Sequence, residues 1–165
     1  MLVALIIMMG DCHSQATTIN IVAIGASNTW GWGVGPQDAY PEQLQAMLKA
    51  KGYDVHVTNA GMIAETTAGM LRRIDSAVPN ETTIVVLQPG SNDLRFFGTK
   101  IQRAKNITAI EKRLSARNIQ VIIFDDDLPA HYYQFDGIHF TTEGHSEIAS
   151  RLLPVVISAF DPQNR

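Results

Sequence analysis

The sequence predicts an α/β domain, a short parallel sheet with helices packed on both faces. Three observations carry this. Four apolar runs lack the polar alternation of a half-exposed strand, they alternate with segments of helical spacing, and residues able to do chemistry cluster just after the runs. Strands buried on both sides must be covered on both sides, and successive parallel strands need helical crossovers, expected to be right-handed.

Taken in order, the first run is Ile19 to Ile24, and it ends at Gly25 two residues before Ser27. A helix follows from Tyr40-Pro41, where proline suits an opening turn, to Gly52, which suits the residue just past a helix end. Its stripe of Tyr40, Leu44, Met47 and Leu48 follows the 3.6-residue period. The second run is Val55 to Asn59, followed by a helix carrying Leu71, Ile74 and Val78 and closed by Pro79. After the third run, Thr83 to Gln88, a helix presents Ala104, Ile107, Ile110 and Leu114 on one face. The fourth run is Gln120 to Phe124. The last helix begins at Thr141 or Thr142, either a good cap, and runs through Ile148, Leu152 and Val156, with Pro154 expected to kink or shorten it.

At 165 residues and 45% hydrophobic, the chain suffices for one compact domain, placed at 17–165. A net charge of -3 leaves no basic footprint, which argues against nucleic acid or an anionic membrane surface as main partner. Residues 1–16 read differently. Leu2 to Met9 is apolar but too short for a stable membrane anchor, and Ser14-Gln15-Ala16 places small residues where signal peptidase reads, although no Lys or Arg precedes the run. The expectation is a signal peptide or N-terminal extension, hence a secreted or periplasmic protein, or a cytoplasmic one if the segment is no working signal. Cys12, the only cysteine, falls there, so the remainder has no disulfide or thiolate metal site.

The residues after each run decide the chemistry. After the first stands Ser27, after the second Asn59-Ala60-Gly61, after the third Gly90-Ser91-Asn92-Asp93, and after the fourth Asp136-Gly137-Ile138-His139. In open α/β sheets this strand edge is where ligands and catalytic groups gather. Each piece has a plain alternative. Ser27 suits a turn or helix cap, Asn92 an Asx turn, Gly61 a turn, and Asp136 with His139 a surface pair. Together they supply what acyl transfer from an ester requires: a hydroxyl nucleophile, an imidazole to take its proton, a carboxylate to orient the imidazole, and donors for the oxyanion. The assignment is Ser27 as nucleophile, His139 as base, Asp136 as its orienting acid, and the Ser27 and Gly61 amides with the Asn92 side chain as oxyanion hole.

The four blocks in this order resemble the SGNH hydrolases, also called GDSL esterases and lipases. Gly25-Ala26-Ser27, Asn59-Ala60-Gly61, Gly90-Ser91-Asn92-Asp93 and Asp136-Gly137-Ile138-His139 correspond to the family's blocks. Tyr40-Pro41 with Leu44 and the run Thr66-Thr67-Ala68-Gly69 look like the bacterial branch holding lysophospholipase/thioesterase-type and aryl esterases. The resemblance implies a flavodoxin-like three-layer α/β/α sandwich and serine ester hydrolysis with no metal or organic cofactor. Two departures stand out. Ala26 replaces the acidic residue usual before the nucleophile, which puts the bracing of that turn in question. Only eleven residues, Asp125 to Phe135, separate the fourth strand from Asp136, where relatives commonly carry a further helix and strand. A missing fifth strand leaves a more open site, or one built in part by Tyr132, Tyr133 and a partner subunit in a homo-oligomer.

Trp30, Trp32, Arg95, Phe96 and Phe97 lie close after the nucleophile or the amide donor, where aromatics line an acyl or aryl pocket or simply pack. Asp125-Asp126-Asp127 reads as a solvated loop in preference to a cation site, and His131 as a surface residue. The reading is a serine esterase acting on short to medium acyl esters or thioesters. The alternatives are a carbohydrate O-deacetylase with the same residues and a catalytically weak flavodoxin-like binding module.

Overall fold

The computed structural model describes residues 18–95, 98–125 and 127–161. The N-terminal segment 1–16 with Cys12, and Phe96, Phe97 and Asp126, lie outside the described residues. Four strands, β1 (Ile19–Gly25), β2 (Val55–Gly61), β3 (Ile84–Leu87) and β4 (Gln120–Ile123), form one parallel sheet in the order β2-β1-β3-β4. β1 is paired along its whole length with β2, from Ile19 opposite Val55 to Gly25 opposite Gly61, and on its other side with β3, from Ile21 opposite Ile84 to Ile24 opposite Leu87. The chain steps outward from β1 to β2 and then back across to β3. The point where the winding reverses, which opens a crevice at the carboxyl ends of the strands, therefore lies between β1 and β3.

Alternation along β1 builds two cores. Ile21 and Ala23 face α2 (Tyr40–Ala50) and α6 (Thr142–Phe160), packing with Tyr40, Leu44, Ile148, Leu152 and Val156. Val22 and Ile24 face α3 (Thr67–Ala77) and α5 (Lys100–Ser115), packing with Met70, Ile74, Ile110 and Leu114. This is the flavodoxin-like three-layer sandwich. Hydroxyl caps open three of the long helices: Thr66, Thr99 and Thr141 accept from the amides of Gly69, Gln102 and Gly144. Two four-residue helices have no signature in the periodicity: α1 (Ser27–Trp30) after β1 and α4 (Asn92–Arg95) after β3.

Two expectations are corrected. Ala104 is exposed and Asn106, not part of the apolar stripe, is buried in its stead, because its Nδ2 donates to Thr67 Oγ1 at 2.9 Å. Pro154 does not shorten the last helix, which continues to Phe160. The carbonyl that Pro154 leaves without a partner belongs to Ser150, an exposed residue, while Leu152, Val156 and Ile157 hold the helix to the core.

The turn out of β1 requires glycine for space. A Cβ on Gly25 would stand 2.0 Å from Thr29 Oγ1 and 3.0 Å from Gln88 Cβ. Thr29 Oγ1 is itself committed, donating to Gln88 Oε1 at 2.6 Å and meeting the Tyr40 hydroxyl at 3.1 Å, and all three residues are buried. Gly25→Ala is therefore expected to lower stability by about 1–3 kcal/mol through overpacking and loss of this network. Urea unfolding measures it, and an unchanged midpoint would mean that Thr29 moves aside freely.

Candidate active site

Ser27 opens α1 at the carboxyl end of β1. As the first residue of a helix its N–H has no carbonyl one turn back to bond. Ala26, which precedes it, is buried in the second core and makes no side-chain cap bond, so the turn is braced by Thr29 and Gln88 below it instead of by an acidic neighbour. Its hydroxyl meets His139, 112 positions later, with Ser27 Oγ and His139 Nε2 3.0 Å apart. On the other side of the ring, His139 Nδ1 lies 2.6 Å from Asp136 Oδ2. The second oxygen of Asp136 accepts the amides of Ile138 and His139 at 2.9 and 3.0 Å. The three residues predicted to act together are thus brought together, in the order hydroxyl, imidazole, carboxylate.

The electrostatics agree with this order. The His139 backbone amide, then its imidazole, then the Ile138 amide hold the Asp136 carboxyl down to about 2, so it stays ionised beside the ring. An ionised acceptor on Nδ1 fixes the proton there and leaves Nε2 free to accept from Ser27. Trp32 covers one side of the ring, with centroids 5.8 Å apart. The other histidine nearby, His145, is fully buried, accepts the Tyr40 amide on Nδ1 at 3.2 Å, and is pushed down to about 4 by burial. It belongs to the core.

Asn92 opens α4 at the end of β3, and its Nδ2 donates to the Glu65 carbonyl at 2.9 Å, leaving its second N–H. Asp93 beside it is buried and accepts from the Thr67 amide and hydroxyl at 2.9 and 2.5 Å, which ties α4 to α3.

Gly61 is not where the sequence reading put it. Its amide donates to Asn59 Oδ1 at 3.0 Å, and a Cβ on it would stand 2.2 Å from the Trp30 nitrogen. It is glycine because β2 presses against the backbone of α1, and its N–H is already used. The backbone that reaches the crevice is three residues further on, at Ala64. This alanine is held at φ 59°, in the left-handed region, and shares a cavity wall with Ser27, Asn92 and His139. Among the described residues its N–H donates no hydrogen bond. The loop carrying it is fixed by Asn92 on the Glu65 carbonyl and by Arg73, whose guanidinium grips the Glu65 carboxylate and the Ala60 carbonyl. A left-handed alanine leaves no mark in the sequence, which is why it was missed.

Two cavities flank Ser27. One, of about 190 Å³, is walled by Asn28, Gln88, Ser91, Arg95 and Tyr133 with Ser27 and Asn92. The other, of about 210 Å³, is walled by Trp32, Ile63, Ala64, Ile138 and His139 with the same pair and Arg95. Trp32, Arg95 and Tyr133 thus line these cavities. Trp30 does not: it is half exposed and touches Trp32, at 6.2 Å between centroids. Tyr132 turns away as well, packing on His131 and lining a surface groove with Glu143 and Ser146. Asp125 pairs with Arg103 at 3.6 Å.

Two outcomes are expected. The folded Asp136 carboxyl sits below its ordinary value of 3.8, so it contributes stability that is present above that pH and lost as pH falls through about 2. Between about pH 4 and 2 the urea midpoint of the wild type should therefore drop more steeply than that of Asp136→Asn; equal slopes would contradict the geometry. Ala64→Gly relieves about 1–2 kcal/mol of left-handed strain and adds about 0.4–1 kcal/mol of unfolded-chain entropy. The variant should be as stable as the parent or up to about 1.6 kcal/mol more stable in urea unfolding.

Comparison with known proteins agrees with this picture. Residues 23–130, well over half of the chain, match the GDSL-like Lipase/Acylhydrolase family, a span that includes Ser27 and Asn92 and stops before Asp136 and His139. Esterase TesA of Pseudomonas aeruginosa is 27% identical over 119 residues, which are 72% of this chain and 59% of TesA, so the match spans less than two thirds of that relative. Among solved structures, the psychrotrophic esterase EstA from Pseudoalteromonas sp. superposes with a TM-score of 0.73 at 19% identity, covering 83% of this chain and 96% of EstA. The acetyl xylan esterase AlAXEase gives 0.71 at 18% identity, covering 84% of this chain and all of that one. At such identities the structural likeness speaks for the fold, and the family match for kinship: the chain belongs to the GDSL-like lipase/acylhydrolase family.

Proposed function

We propose that the protein hydrolyses carboxylic esters or thioesters of short to medium acyl chain through an acyl-enzyme on Ser27. The observation that carries this is the unbroken relay of 3.0 Å from Ser27 Oγ to His139 Nε2 and 2.6 Å from His139 Nδ1 to Asp136 Oδ2. In the first step His139 takes the Ser27 proton as Oγ bonds to the ester carbonyl carbon, and the carbonyl oxygen becomes an oxyanion. The second N–H of Asn92 and the amides of Ser27 and Ala64 are the donors for it. The tetrahedral adduct then collapses: the bond to the leaving oxygen or sulfur breaks, and the imidazolium returns its proton to that atom. Water, deprotonated in turn by His139, attacks the acyl carbon and releases the acid and Ser27.

Proton return fixes the direction of binding. The leaving group must lie beside His139 Nε2, hence in the cavity walled by Trp32, Ile63 and Ala64, and the acyl group takes the polar cavity walled by Gln88, Ser91 and Tyr133. At about 190 Å³ that cavity suits a short chain, and the indole opposite suits an aryl or alkyl alcohol. TesA and EstA are named esterases, and one EstA structure is inhibited by monoethylphosphonate. The family's acetyl xylan esterase keeps a sugar O-deacetylase reading in view; there the polar sugar would have to sit against Trp32 and Ile63.

Purified protein assayed with aryl esters of increasing acyl length is expected to favour acetate to hexanoate, and acetylated xylan to be the poorer substrate; the reverse order would favour the deacetylase. Ser27→Ala should abolish turnover and labelling by a fluorophosphonate. Asn92→Ala should fold and lose roughly 100- to 1000-fold in kcat. Wild-type rates in Ser27→Ala would end the proposal.

A further inference from the structure

We propose that Asn28, the neighbour of the nucleophile, is the positioning residue that aims His139 at Ser27; this rests on the esterase reading above. The side chain is buried, at 6% exposure. Its Nδ2 donates to the Ile138 carbonyl at 3.0 Å and its Oδ1 accepts the Phe140 amide at 3.1 Å. Those are the peptide groups on either side of His139. The amide of Asn28 thus pairs with the histidine's flanking backbone much as a strand neighbour would, two hydrogen bonds in opposite senses from one rigid planar group.

The consequence follows from where Asn28 sits. It is the second residue of α1, and Ser27 is the first, so the nucleophile and the clamp share one turn of backbone. Any displacement of α1 carries both together. The His139 backbone is therefore referenced directly to the element that bears the hydroxyl, not through the sheet and α6. Gln134 adds a second tie, donating through Nε2 to the Trp32 and Phe140 carbonyls at 2.9 and 2.8 Å, while its own amide donates to the His139 carbonyl at 2.7 Å. Gln134 joins the same loop to itself and to the end of the α1 turn. Only Asn28 bonds both peptides that bracket the histidine from a residue adjacent to Ser27.

A clamp of this kind acts on orientation, so it should be read chiefly in kcat. Proton transfer needs Oγ and Nε2 aligned, and a misplacement of about 1 Å is worth up to roughly 100-fold in rate. Asn28→Ala removes both bonds. Asn28→Asp, of the same size, keeps the acceptor for the Phe140 amide and sets an oxygen against the Ile138 carbonyl. The control is Val156→Ala, a fully buried core residue of α6 about 20 Å along the helix from its first turn.

The experiment compares kcat and KM for an aryl acetate across wild type, Asn28→Ala, Asn28→Asp, Val156→Ala and Ser27→Ala, with each rate normalised to folded protein. Both Asn28 variants are expected to lose roughly 10- to 100-fold in kcat, a larger change than any in KM, to which Asn28 contributes only as one wall residue of the acyl cavity. Val156→Ala should lower the melting temperature and keep wild-type kcat. Full kcat in the Asn28 variants, or the same kcat loss in Val156→Ala, would overturn the proposal; if Asn28→Ala does not fold, Asn28→Asp decides alone. Turnover surviving in Ser27→Ala would instead overturn the esterase reading.

Discussion

A hydrogen bond of 3.0 Å joins side chains 112 positions apart, and the rest of the molecule can be understood as the means of making it. Ser27 is placed by the innermost part of the fold. β1 is bonded on both sides and buried on both faces, so the point where it ends is the most firmly located place in the chain. His139 has no such support. It lies on an irregular segment between β4 and α6 in which the described residues form one short 3-10 turn, Ala130–Tyr132, and one isolated bridge between Tyr133 and Phe140.

The crevice between the ends of β1 and β3 needs its walls as close as backbone permits, and this explains the glycines. Gly25 makes room for Thr29, Gly61 for the backbone of α1, and Gly144 for the carbonyl of Tyr132, which a Cβ there would approach to 2.3 Å. The buried polar groups under the crevice are paired among themselves: Thr29 with Gln88 and Tyr40, Asp93 with Thr67, and Thr67 with Asn106. In a low-dielectric interior such groups are costly alone and rigid when satisfied. They form a fixed floor beneath a reactive surface.

Much of this was legible in the sequence, for a physical reason. Buried parallel strands need uninterrupted apolar runs, and chemistry sits where they stop, so Ser27, Asn92, Asp136 and His139 could be read by position. What escaped were features with no compositional mark. Ala64 takes a conformation that usually advertises itself as glycine, and Gly61, which carries the expected letter, uses its amide on Asn59. Asn106 is a polar residue outside the apolar stripe yet is bonded in the interior, and α1 and α4 are too short to show a period. Asn28 and Gln134 read as ordinary polar residues, since nothing in a sequence says which backbone an amide will find 110 residues away. Pro154 suggests a kinked or shortened helix because the sequence does not show that Ser150, whose carbonyl it orphans, is exposed.

The segment bearing His139 shows how attachment and aim divide between two kinds of force. Phe140, directly after the histidine, is fully buried and packs against Tyr133 and His145. Burying such a ring is worth about 1.5–3 kcal/mol, more than the 0.5–1.5 kcal/mol or so expected from any one hydrogen bond of Asn28 or Gln134. Burial therefore docks the segment. It has no preferred direction, however, and a ring in an apolar pocket tolerates rotations that would swing the imidazole off the serine. Hydrogen bonds weaken steeply with angle and so set the direction. The amide of Asn28, beside Ser27, supplies such bonds to the peptide groups on either side of His139. Directional bonds of modest energy, laid over a non-directional anchor, hold the imidazole 3.0 Å from the serine hydroxyl.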